Sequence, residues 1–237
     1  MQPDHPRHET LRFNDANALA NELATHVALR LAAAIATRGQ ASLVVSGGRT
    51  PTRLFAALAA HPIAWSKIGV TLADERWVDA DHPASNARFV ETTLLRECAA
   101  EARFIGLKQP AATAEHGAAA AWQALDVLPR PFDIVILGMG DDGHVASLFP
   151  SSPGLAAALD PSAAPGCVAM RAPVDPRERV SMNLAALLDT RLLVLHIEGE
   201  AKWSVYETAC AGDGVTALPV RALLRQSRAP LAVYWSP

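Results

Sequence analysis

A histidine two residues after an aspartate, inside a glycine-rich turn, is a pairing that can make a base. In Gly138-Met-Gly-Asp-Asp-Gly-His144, Asp142 is placed to hold the His144 ring in one tautomer, leaving its other nitrogen to take a proton from water or a hydroxyl. A second cluster, Ser46-Gly-Gly-Arg-Thr-Pro51, suits an anion. Gly47 and Gly48 let the backbone approach a ligand, Thr50 reads as a helix N-cap, and Pro51 fits the first helical turn. Uncapped amides and the helix dipole would then seat a phosphate. Asp74-Glu75-Arg76 adds two carboxylates and a guanidinium that can bind phosphate bidentately. Lys202 falls in the first turn of an expected helix, where the dipole disfavours a cation, which leans toward anion binding.

Each signal has a plainer reading. Strand–turn–helix connections with Gly and Thr-Pro are common, and an isolated Asp-Glu-Arg is more often a surface ion pair. Gly138 to Gly143 also matches the dinucleotide pattern G-x-G-x-x-G. Three features argue against that reading. Asp141 and Asp142 would face a pyrophosphate with like charge, Pro150 interrupts the helix that should follow, and no acidic residue closes a next strand at the expected distance. No Walker A loop and no H-E-x-x-H or comparable metal-ligand spacing is present. His5, His8, His61, His82 and His116 read as structural or surface residues.

The elements that would position these clusters can be read from periodicity. Ala16 to Arg38 has Leu19, Leu23, Val27, Leu31 and Ile35 on one stripe and Gly39 as a stop, which predicts a helix. Apolar runs at Ala41–Val45, Ile68–Ala73, Phe132–Leu137, Arg191–Ile197 and Leu231–Trp235 read as strands. Helical patterns cover Pro51–Ala60, Ala87–Ala100, Thr113–Leu128 and Ala201–Ala211. The alternation predicts an α/β fold whose mostly parallel sheet carries helices on both faces. The four polar clusters each follow an apolar run, so they should meet at the carboxyl edge of that sheet. Residues 1–15 are expected to be a disordered lead-in, 16–237 a single domain, and Ser151–Gly166 a loop.

Composition narrows the partners. The chain has 237 residues, half of them hydrophobic, and no apolar run long enough to span a membrane. A net charge of −3 without a basic run argues against nucleic acid and leaves anion binding to a few placed groups. Cys98, Cys167 and Cys210 are widely spaced and odd in number, which favours a reducing cytoplasm over a disulfide framework. A small-molecule ligand and a monomeric state are expected.

Taken together, these residues resemble the 6-phosphogluconolactonase family. The matching segments are Ser46–Pro51, Ala73-Asp-Glu-Arg-Trp77, Ser85-Asn86, Gly138–Pro150, Arg179-Val-Ser-Met-Asn183, Gly199-Glu-Ala-Lys202, Leu218-Pro-Val220 and Val233-Tyr-Trp235. They run in order over nearly the whole chain. The resemblance implies a Rossmann-like fold shared with sugar-phosphate isomerases and glucosamine-6-phosphate deaminases. It also implies hydrolysis of 6-phospho-D-glucono-1,5-lactone in the oxidative pentose phosphate pathway, with no metal or organic cofactor. Under it His144, Asp142 and Asp74 are the expected catalytic residues. Ser46, Gly47, Gly48, Thr50, Arg76, Asn86, Gly140, Gly143, Arg179 and Lys202 are expected to bind the phosphosugar, with Asn86 orienting a loop. Deaminases resemble Asp-Glu-Tyr where this chain has Asp74-Glu75-Arg76, and place a glutamate where it has Phe149. An apolar ring cannot relay a proton, so the deaminase reading loses a working part. A ligand sensor on the same fold is the reading from another class. Such regulators carry a DNA-binding module, whereas the segment before the first strand here reads as one helix.

Overall fold

The computed structural model describes residues 8–237. In chain order the elements are β1 (Glu9–Arg12), α1 (Ala16–Arg38), β2 (Ala41–Val45), α2 (Thr52–Ala59), β3 (Ile68–Leu72), β4 (Asp74–Arg76), α3 (Asn86–Thr93), β5 (Arg103–Ile105) and α4 (Ala114–Ala124). They continue with β6 (Ile134–Gly138), α5 (Leu155–Ala158), β7 (Cys167–Arg171), β8 (Glu178–Met182), α6 (Leu184–Leu187), β9 (Leu193–Glu198), α7 (Glu200–Ala211), α8 (Val220–Arg225) and β10 (Leu231–Ser236).

α1 begins where Asp15 accepts hydrogen bonds from the amides of Asn17 and Ala18, and it ends at Gly39, whose φ of 79° lets its amide reach Ile35 O. Leu19, Leu23, Val27 and Leu31 are buried on the predicted stripe. Seven strands form one sheet in the order β1-β10-β9-β6-β2-β3-β5. All of its pairings are parallel. β2 and β3 are buried along their whole length, so both faces of the sheet are covered.

Strand order explains where a ligand can enter. From β2 the chain moves one way to β3, while β6, β9 and β10 build outward on the other side. The order therefore reverses between β2 and β6, and loops leaving their carboxyl ends diverge to open a crevice. Those loops are Ser46–Pro51 and Met139–His144.

Two features differ from the sequence expectation. Residues 9–12, expected within a disordered lead-in, form β1 and pair in parallel with β10, while residues 1–7 of that lead-in lie outside the described residues. A second, antiparallel sheet also exists, in the order β4-β8-β7. β7 and β8 pair as a local hairpin, but the three-residue β4 joins them from about a hundred residues away (Arg76 opposite Arg179), so no local periodicity announces the sheet at β4. Ala73 joins the sheets, its amide donating to Val45 O at 2.8 Å and its carbonyl accepting from Met182 N at 2.8 Å. The helix expected over Ala87–Ala100 stops at Thr93, and the Ser151–Gly166 loop contains the short α5. Among the described residues no helix is long and apolar enough to cross a membrane.

Candidate active site

The turn after β6 is built to present His144. Its Nδ1 lies 2.5 Å from Asp142 Oδ1, and its backbone amide donates to the same oxygen at 3.1 Å. A carboxylate can only accept, so Nδ1 carries the hydrogen, and in the neutral ring the lone pair is on Nε2. Burial works to raise the Asp142 carboxyl, but the hydrogen bonds and charge of His144 outweigh it and hold the group below the ordinary aspartate value. The other side of the imidazole is backed by Phe149, with ring centroids 4.3 Å apart. Gly140 closes the turn, donating to His144 O and accepting from Gly143 N.

Gly140 must be a glycine because the imidazole lies against its Cα. A Cβ there would fall 2.1 Å from both Cε1 and Nδ1 of His144, and 2.7 Å from Asp142 Oδ1. We therefore expect Gly140→Ala to displace the ring while the fold persists and, with His144 as the base proposed below, to lower kcat by roughly tenfold or more. Circular dichroism with steady-state kinetics checks this; unchanged kcat would contradict the packing.

The loop after β2 offers backbone donors. The amides of Gly47, Gly48, Arg49 and Thr50 hydrogen-bond to no protein acceptor among the described residues. Gly47 allows close packing, since a Cβ on it would meet Asn86 Oδ1 at 2.0 Å. The expected N-cap at Thr50 is corrected. α2 starts at Thr52 after Pro51 with no side-chain cap, and the Thr50 hydroxyl instead receives Lys202 Nζ at 3.2 Å. Lys202 is the third residue of α7, so this contact joins the β2 and β9 loops.

β4 splits its residues by the alternation of a strand. Asp74 and Arg76 face the crevice, while Glu75 turns away and caps α3, accepting from the amides of Arg76, Asn86 and Ala87 at 2.7 Å each. Burial pushes the Glu75 carboxyl up, against the pull of those amides. Asp74 Oδ2 accepts from Ser147 Oγ at 2.5 Å, and Asn86 Nδ2 donates to Asp74 O at 2.8 Å. Across the β4–β8 ladder Arg76 stands opposite Arg179. Burial, with the adjacent Arg76 charge, lowers Arg179 below the ordinary arginine value, while Asp74 and Glu75 act against it. Two guanidiniums held side by side favour an anion between or above them.

These groups line one cavity: Ser46, Gly47, Gly48, Thr50, Asp74, Arg76, Asn86, Gly140, His144, Arg179 and Lys202, together with Arg49, Gly138, Met139, Ala146, Phe149 and Val174. Its lining carries four side-chain cations (Arg49, Arg76, Arg179, Lys202) against the single carboxylate of Asp74, inside a chain of net charge −3. Ser46 Oγ, Arg76 Nε and Asn86 Oδ1 are buried there without a protein partner among the described residues. Asp142 supports His144 from outside the lining. Gly143, expected to bind substrate, is corrected. It is buried against Leu218, a Cβ on it would meet Leu218 Cδ2 at 2.7 Å, and its carbonyl accepts from Val220 N. Its φ of 73° serves the turn instead. Arg49 was not singled out from sequence, although its position inside the Gly-Gly-Arg-Thr turn could have suggested it. Among the described residues no group of three or more His, Cys, Asp or Glu is placed to hold a metal.

Comparison with known proteins agrees with this architecture. Residues 14–235 match the family described as glucosamine-6-phosphate isomerases/6-phosphogluconolactonase. A 6-phosphogluconolactonase of Pseudomonas aeruginosa is 49% identical over 95% of this chain and 93% of its own. One from Rhizobium meliloti is 47% identical over 95% of this chain and 97% of its own. The crystal structure of a 6-phosphogluconolactonase from Shewanella baltica superposes with a TM-score of 0.93 at 46% identity, covering 97% of this chain and 98% of that one. The chain belongs to the glucosamine-6-phosphate isomerase/6-phosphogluconolactonase family.

Proposed function

We propose that the chain hydrolyses 6-phospho-D-glucono-1,5-lactone to 6-phosphogluconate, the step of the oxidative pentose phosphate pathway that its relatives' names imply. The observation that carries the mechanism is the Asp142–His144 pair opening into a cavity with four side-chain cations. Such a cavity suits a substrate that is anionic at its phosphate and becomes anionic again at its carbonyl.

In this reading the 6-phosphate rests on the amides of Gly47 to Thr50, with Lys202 and Arg49 supplying charge. The lactone carbonyl lies toward His144. Nε2 of His144 takes a proton from water as the water oxygen bonds to C1, and the negative charge moves onto the carbonyl oxygen. Arg76 and Arg179, on the β4–β8 ladder, supply positive charge at that end of the cavity. The tetrahedral intermediate then collapses, the bond from C1 to the ring oxygen breaks, and the imidazolium returns its proton to that oxygen. Asp142 keeps the tautomer and stabilises the imidazolium. Asp74 accepts from a sugar hydroxyl, a neutral donor it does not repel. Asn86 orients β4 through its bond to Asp74 O.

A single domain from residue 16 to 237, extended by β1, would carry the whole of this cavity, and we take the working unit to be the monomer. Its free cysteines suit a reducing cytoplasm. A pH–rate profile tests the base. Asp142 is held below the ordinary aspartate value, so acidification should reach the base before its partner, and log kcat, which reports the bound complex, should fall as the pH drops. The spontaneous hydrolysis must be subtracted. A rate that stays flat on acidification contradicts the assignment.

A further inference from the structure

Ser147 is fully buried, lies three residues beyond His144 and does not line the cavity. It nevertheless touches both halves of the site. Its amide donates to Ser181 Oγ at 3.3 Å, and its hydroxyl donates to Asp74 Oδ2 at 2.5 Å. Ser181 is the ladder partner of Asp74 across β4 and β8. Asp74 is itself only 6% exposed yet lines the cavity. With Oδ2 engaged, its other oxygen accepts no hydrogen bond from the described residues.

The backbone between the two loops is strained in the same place. Ala146, between His144 and Ser147, has a φ of 49°, a region that residues with a Cβ rarely adopt. Such a conformation persists only where its neighbours over-determine it. Here the Gly140 N–His144 O bond holds one side, and the two bonds of Ser147 hold the other.

We propose that Ser147 is a positioning residue for the hydrolysis, its hydroxyl fixing the Asp74 carboxylate with one oxygen free for a sugar hydroxyl and tying it to the turn that carries His144. The role of Asp74 rests on the lactonase reading above; the coupling of Ser147 to Asp74 does not require His144 to be the base. A serine that merely filled space would pack the same way. The two roles separate in a double-mutant cycle.

The test compares Ser147→Ala, Asp74→Ala and the double variant in kcat/KM for the phosphorylated lactone. Removing a hydrogen bond to a carboxylate should cost about ten- to hundredfold in Ser147→Ala. In the Asp74→Ala background the same change should cost little more, because the acceptor of the Ser147 hydroxyl is already gone. Ser147→Thr and Ser147→Val, which match each other in shape and differ in the hydroxyl, supply the second comparison and decide the matter if the alanine variant does not fold. The threonine variant should keep most of the activity and the valine variant should lose it. Additive losses in the cycle, or equal activity of the Thr and Val variants, overturn the proposal. An active His144→Ala would remove the base assignment while leaving this coupling intact. Should the lactone not be turned over at all, the cycle is read in 6-phosphogluconate affinity, where the same non-additivity is expected.

Discussion

Replacing His144 with alanine should lower kcat by about 10²–10⁴-fold and leave KM nearly unchanged, the range contributed by a positioned general base. The protein should remain folded. The imidazole is partly exposed, and its contacts are to Asp142, Phe149 and the turn rather than to the core. The cationic lining remains in the variant, so a residual rate above spontaneous hydrolysis should persist. Asp142→Asn gives an independent view of the same arrangement. An asparagine amide can donate to Nδ1, which favours the tautomer with its hydrogen on Nε2 and removes the base without removing the ring. A loss of at least about tenfold in kcat is expected, by the tautomer argument known from serine proteases. Full activity in both variants would leave His144 without a catalytic role.

The second large effect should appear at the other end of the cavity. Lys202→Ala removes a cation that bonds Thr50 and lines the cavity together with the unpaired amides of Gly47 to Thr50. A hydrogen bond to a charged group contributes about 1.5–3 kcal/mol, or roughly ten- to hundredfold in kcat/KM. Because phosphate charge does not change during the reaction, the loss should fall mostly on KM. The unphosphorylated lactone supplies the control: with no phosphate to hold, Lys202→Ala and the unmodified protein should treat it alike. An equal loss on both lactones would place Lys202 at the reacting centre instead of the phosphate.

That these clusters line one cavity is legible in the sequence because each polar cluster follows an apolar run, and strand ends of a parallel sheet share one edge. Asp142 and His144 are two residues apart, so their pairing is local and readable. What escaped is non-local. The Arg76–Arg179 ladder joins residues from separate thirds of the chain, through β4, a strand of three residues that is too short for a periodic signal. Thr50 looked like a cap because Ser, Thr and Asp before a Pro usually are caps; its bond to Lys202 depends on how α7 packs, which no local pattern carries. Gly143 failed for the opposite reason. Every glycine in a ligand-binding turn looks like a place for close approach, but here the close neighbour is Leu218. The separation of Glu75 from Asp74 and Arg76 could have been foreseen from strand alternation, had Asp74–Arg76 been recognised as a strand.

Turnover of the phosphorylated lactone can be measured directly. Lactone is generated in situ from glucose 6-phosphate by a dehydrogenase, and 6-phosphogluconate appearance is followed with the protein, without it, and with Asp142→Asn in its place. A protein-dependent rate far above the spontaneous one is expected, with the variant falling between them. Product formation at the spontaneous rate, alongside tight binding of 6-phosphogluconate, would contradict it and identify a phosphosugar sensor on the same fold.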